Sequence, residues 1–347
     1  MKILISDYIK SLNKFSLINA FKAVIASLVG YIIGHLLGLW LEVSQMYTWI
    51  VVTVLVVMSS QPNLGGALGK AKMRLLGTVI GSSAAIIILL VSPNHQWIQI
   101  ILSLILIFVG VYVATASNKY MYAGVLACVT ITIILFSKEV TLITAFYRTL
   151  EVVLGIFIAI ITNRFILPIR ASDRLYYSFS ETLLLIKQLH GRMFNDIDYD
   201  YVLVNIFLQF TKQLSLQNEI INEKEKVNLN SYKVINSQLR QLYRYSSVIN
   251  DYMTSYPDKK IRFSNSIEFH KLNITISGLI DQMSLSFKYK RPIFHDSPLQ
   301  KITKQLNSLK DTMKVEPKYI HTNTLIFSLE KNIEILKTIS ITSTPLI

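Results

Sequence analysis

One cysteine, Cys128, stands in 347 residues. That scarcity excludes a disulfide framework and any zinc site built on cysteines. Charge is also scarce: Asp, Glu, Lys and Arg make up 16% of the chain, against about 25% in an ordinary soluble domain. Acidic residues are the rarer sign, 21 against 35 basic ones. The six histidines, including His35 and His95, show no metal-ligand spacing. No nucleophile–base set, dinucleotide fingerprint or pair of catalytic carboxylates is visible, so neither an enzyme nor a cofactor is expected. What the chain has instead is apolar surface: 52% hydrophobic residues and a mean hydropathy of +0.43. A water-soluble protein of this size could not hide that much, and the same composition excludes intrinsic disorder.

The charges divide the chain near Pro168. About 11 lie between Leu17 and Leu167, and about 41 follow Pro168. The first part contains six apolar runs, at Ile18–Leu41, Met46–Ser60, Leu75–Val91, Trp97–Ala116, Tyr120–Phe136 and Ala145–Leu167. A bilayer core of about 30 Å needs about 20 apolar residues in a helix. The runs are continuous rather than alternating, which argues against a barrel. The first run exceeds a signal-peptide core and no A-x-A site follows it. The expectation is all-α: an arm over 1–17, six transmembrane helices over 18–168, and a cytoplasmic helical bundle over 169–347. Within the last part, amphipathic stretches are expected at about 229–255, 263–288, 296–314 and 318–341.

The net charge of +14 fits nucleic acid or a membrane. Lysines and arginines fall in alternate loops, at Lys2–Lys22, at Lys70, Lys72 and Arg74, at Lys119, and at Arg164–Arg174. That alternation places both termini in the cytoplasm, so nucleic acid is not needed as a partner. Trp40, Trp49 and Trp97 fall where the outer interface is expected.

Several motifs admit two readings. Small residues four apart, at Gly30, Gly34 and Gly38, at Gly77 and Gly81, and at Gly155 and Ala159, permit close helix packing within the subunit, at an interface or along a pore. The segment from Gln61 to Lys70 fails as a phosphate loop, since Leu64 and Ala71 stand where glycine and Ser/Thr are required. It reads as an ordinary basic turn entering the third run, or as an anion-binding break with Asn63, Lys70, Lys72 and Arg74. Arg148 and Glu151 sit at i, i+3 in the sixth run, where the loop rule calls for no arginine. They are either a self-neutralising pair at the outer interface or an anion-attracting group with its tuning carboxylate. Lys22 either snorkels at the inner end of the first run or lines the pathway. Asp196, Asp198 and Asp200 begin like a calcium loop, but Tyr201 and Phe207 stand where glycine and glutamate belong.

The stretch Trp49–Met58, then Gln61-Pro62-Asn63, Gly69-Lys70 and Arg74-Leu75-Leu76-Gly77-Thr78, resembles the fusaric-acid-resistance-like family of integral membrane transporters. It is distantly similar to the plant aluminium-activated malate transporters. Arg148 through Gly155, ending in Asn163 and Pro168, resembles the family's sixth helix. The resemblance covers about residues 18–170. It implies a six-helix transport unit with a cytoplasmic helical domain, in a bacterial inner membrane, and the export of aromatic or other carboxylic acids. Many bacterial members carry two such halves, so a homodimer is implied here. Arg148 matches the arginine implicated in the anion pathway, and Glu151 departs from the plant pattern. The resulting expectation is an organic-anion transporter; the alternatives are a passive anion channel and a membrane-anchored scaffold.

Overall fold

In lipid, only structures that satisfy their own backbone hydrogen bonds persist. In the computed structural model of this chain every described element is an α-helix. The structure describes residues 14–43, 45–59, 62–93, 95–136, 141–191, 199–223, 229–291, 296–313 and 320–343. Asp196 and Asp198 lie outside them. The chain divides into two units, one running to Ala171 and including Glu219–Glu223, the other comprising Ser172–Asn218 and Lys224–Ile347.

The first unit contains α1 (Lys14–Leu41), α2 (Met46–Met58), α3 (Leu64–Val91), α4 (Gln96–Ala116), α5 (Met121–Leu135) and α6 (Leu142–Phe165). Four of these, α1, α3, α4 and α6, are long and apolar enough to cross a membrane. The short pair α2 and α5, 13 and 15 residues long, extend only about 20 and 23 Å at 1.5 Å per residue. Faces of α1 and α4 carry exposed apolar side chains such as Leu28 and Phe108.

The third helix begins eleven residues earlier than the hydropathy pattern predicts. Lys70, Lys72 and Arg74 are therefore helical, and the basic turn expected at 61–74 shrinks to the residues before Leu64. The extra turns survive three glycines because their N-terminus is held. The Glu223 carboxylate accepts from Gly65 N at 2.8 Å and from Asn63 Nδ2 at 3.3 Å. It also accepts from Ala171 N. A carboxylate at a helix start satisfies orphan N–H groups and the helix dipole. Gly65 is required there, since a Cβ would overlap the Glu219 carbonyl.

The six helices form two three-helix repeats. Each reads long, short, long, and the packing repeats with it: α2 lies against α1 and α6, α5 lies against α4 and α3, and α3 meets α6. The glycines show the register. A Cβ on Gly81 would lie 2.6 Å from the Ala127 carbonyl and 2.8 Å from Thr130 Cβ. A Cβ on Gly155 would lie 2.8 Å from the Ile50 carbonyl and 2.6 Å from Thr53 Cβ. Gly81 thus corresponds to Gly155, and Thr130 to Thr53. In the same register, Arg74-x-Leu76-x-x-Val79-x-Gly81 on α3 matches Arg148-x-Leu150-x-x-Val153-x-Gly155 on α6. Val52-Thr53 on α2 matches Val129-Thr130 on α5. An odd number of helices per repeat inverts the second relative to the first, an arrangement common in secondary transporters.

The second unit contains most of α7 (Ala171–Gly191) and α8 (Tyr199–Glu223), with α9 (Leu229–Ser255), α10 (Pro257–Ser264), α11 (Ile267–Tyr289), α12 (Asp296–Met313) and α13 (Ile320–Ser343). The amphipathic periodicities predict α9, α11, α12 and α13 to within a few residues; the short α10 has no counterpart among them. Pro257 opens α10, consistent with proline's tolerance at a helix start. The core gathers Phe179, Leu183, Tyr232, Leu239, Phe269 and Phe287, with α9 on α13 and α11 on α12. Tyr176, Phe179, Tyr232 and Phe287 form an aromatic cluster with centroids 5.6–6.3 Å apart.

Candidate functional site

Where the two repeats meet, α2, α3, α5 and α6 line a partly open cavity of about 220 Å³. Its walls follow the internal symmetry. Trp49, Val52 and Val56 of α2 face Leu126, Val129 and Ile133 of α5, the positions that correspond in the register above. Arg74 of α3 and Arg148 of α6, also equivalent, both line it. The two short helices flank the cavity, and short apolar segments at corresponding positions of two halves mark binding sites in many transporters.

Each arginine is held differently. Arg148 Nη1 donates to Glu151 Oε2 at 2.9 Å, and its guanidinium lies 4.5 Å from the Trp49 ring centroid. An i, i+3 pair on one helix face and a cation over an indole together fix its orientation. Arg74 is 7% exposed. Its Nη2 donates to Thr53 Oγ1 at 3.0 Å, and among the described residues its Nε has no hydrogen-bond partner. Among the described residues no carboxylate pairs with Arg74. Arg74 stands ten residues past Leu64, about 15 Å along α3, and Arg148 about 9 Å along α6. Both are inside their helices rather than at the ends. Ser82 Oγ and Thr149 Oγ1, 2.9 Å apart, tie α3 to α6 near the pair.

The remaining residues singled out from the sequence lie elsewhere. Lys22 is fully buried, with its Nζ 3.4 Å from Asn163 Oδ1. It joins α1 to α6 and does not snorkel. Lys70 lies over the Tyr122 ring at 5.2 Å, and Lys72 is exposed. Asn63 is buried and bonded to Glu223. The structure therefore brings together Arg148, Glu151 and Arg74, and leaves Lys22, Lys70, Lys72 and Asn63 outside the cavity. Trp49, expected as an interface anchor, forms part of the cavity wall. Thr53, the partner of Arg74, is missed by the sequence reading. The repeated R-x-L-x-x-V-x-G pattern is the signal that identifies Arg74 with Arg148 and points to its setting.

Such a site can hold a small anion. It offers one buried and one partly exposed guanidinium in an apolar, partly aromatic cavity. Among the described residues no cluster of three metal-ligating side chains occurs. No curated protein matches the chain. The model of the fusaric acid resistance protein family matches residues 16–198, more than half of the chain, and the protein belongs to that family, one of multi-pass membrane proteins linked to transport and resistance.

Proposed function

We propose that the protein carries small organic anions across the membrane, with Arg74 and Arg148 binding the carboxylate in the cavity between the two repeats. The observation that carries this reading is the pair of equivalent arginines lining one cavity, one of them with a buried Nε that has no partner among the described residues. A charge inside a spanning helix is costly and usually faces a pathway. The family name points to resistance against an aromatic carboxylic acid, so export of aromatic or other carboxylates is the preferred direction. In this reading all six helices belong to the transport unit, lipid covers the exposed faces of α1 and α4, and the basic residues at Lys119 and Arg164–Arg174 support both termini on the cytoplasmic side of a bacterial inner membrane. Two copies form the working dimer, a closed two-fold arrangement.

Uptake of radiolabelled benzoate into proteoliposomes tests the reading. Arg74→Gln and Arg148→Gln each lower the flux at least about tenfold, because each removes one charged partner from a buried site. Unchanged flux in both variants rejects the cavity as the binding site. A current that reverses at the benzoate Nernst potential identifies a channel on the same scaffold. The inverted repeat favours a carrier, since paired inverted repeats support alternating access.

A further inference from the structure

Three side chains that can carry charge line the cavity: Arg74, Arg148 and Glu151. Glu151 is 2% exposed and paired with Arg148 at 2.9 Å. Among the described residues, the partners of Arg74 are uncharged hydroxyls, that of Thr53 at 3.0 Å and that of Tyr122. Lys22 and Lys70 are held elsewhere, by Asn163 and against the Tyr122 ring. With the Arg148–Glu151 ion pair formed, the cavity holds one cancelled arginine and one uncompensated one, a net charge of +1.

The odd charge traces to a break in the internal symmetry. The position equivalent to Glu151 on α3 is Gly77. No side chain fits there, because a Cβ would lie 2.5 Å from the Ala123 carbonyl. Packing α3 against α5 thus forbids a second carboxylate, and only one of the two equivalent arginines is neutralised.

Resting on the anion-binding reading above, we infer that Glu151 determines the valence of the transported anion. By cancelling Arg148 it leaves a cavity matched to a monoanion. One carboxylate neutralises Arg74 and leaves no net charge in an apolar enclosure. A dianion brings a second negative charge that finds only an occupied arginine, and burying an unpaired charge is strongly unfavourable. Trp49 at 4.5 Å from the Arg148 guanidinium and Glu151 at 2.9 Å hold that arginine in place with its charge already balanced, so of the two arginines that bind the carboxylate it is Arg74 whose charge the solute neutralises.

Benzoate and phthalate test this, since they share a ring and differ by one carboxylate, and both are fully ionised near neutral pH. Full-length protein in proteoliposomes is expected to take up benzoate in preference to phthalate. Glu151→Gln keeps the side-chain shape and an acceptor for Arg148 while raising the net charge to +2. It shifts the phthalate-to-benzoate flux ratio upward at least about tenfold. A charge-rescue variant guards against a merely structural effect. Arg74→Gln leaves a net charge of zero and loses benzoate uptake; Arg74→Gln combined with Glu151→Gln returns it to +1 and recovers uptake. An unchanged ratio in Glu151→Gln while both solutes flow, or no recovery in the double variant, overturns the inference. Wild-type liposomes that move neither solute overturn the transport reading itself, and the valence assignment with it.

Discussion

His190, far in sequence from the membrane helices, shows what burial does to a titratable side chain in the second unit. Its ring is buried, and Nε2 lies 2.9 Å from Ser246 Oγ. Ser246 donates to the Leu242 carbonyl and accepts from Asn332 Nδ2. With the Ser246 proton on the Leu242 carbonyl, the His190 Nε2–H donates to Ser246 Oγ; with the other tautomer, Ser246 donates to the ring. Burial disfavours the imidazolium and lowers the pKa to about 4. The unfolded chain takes up that proton near pH 6.5, its ordinary value, whereas the folded chain resists until about pH 4. The stability from this group is therefore complete above about pH 6.5 and lost as the pH falls toward 4, by roughly 3 kcal/mol at most. Thermal melting of the detergent-solubilised protein across that window checks it. The wild-type midpoint falls with pH, and His190→Gln lacks this component of the slope.

At the scale of elements, the glycines divide into those that packing requires and those it does not. Gly155→Ala puts a methyl into Thr53 and the Ile50 carbonyl. It is expected to destabilise the membrane unit by about 1–3 kcal/mol, as overpacking does. Gly278, on the exposed face of α11, has nothing within 4 Å of an added Cβ. Gly278→Ala stabilises by about 0.5–1 kcal/mol through helix propensity alone. Melting curves of the two variants should move in opposite directions. The start of α3 shows where reading the sequence fails. Hydropathy sees three lysines and arginines after a glycine-rich stretch and predicts a turn. The helix extends through them because the carboxylate of Glu223, more than 150 residues later, holds its N-terminus. No local pattern announces a partner that distant. The ends of α2, α4, α5 and α9 were legible, since apolar runs and their breaks are local. Arg148 and Glu151 were legible as a pair because i, i+3 spacing on a helix fixes their neighbourhood. Arg74 was legible in type but not in setting; only the internal repeat relates it to Arg148.

At the scale of the whole molecule, charge is arranged by exposure to solvent and lipid. Phe108, 74% exposed on α4, lies on a surface that a membrane protein turns to hydrocarbon. Phe108→Asp is expected to cost about 3 kcal/mol of insertion and to reduce the membrane-integrated fraction. An alkaline-extraction assay measures that fraction, and a substitution at exposed Lys72 leaves it unchanged. The arginines of the cavity escape the same penalty because they face an interior space built by all four flanking helices.

The correspondence of α3 with α6 has a consequence for flow. On the proposed transport reading, two inverted halves present a solute with nearly the same approach from either face of the membrane. Glu151, with no counterpart at Gly77, breaks that equivalence. Limiting permeability is the same in both directions whatever the profile, so the difference falls on the concentration at which each face saturates.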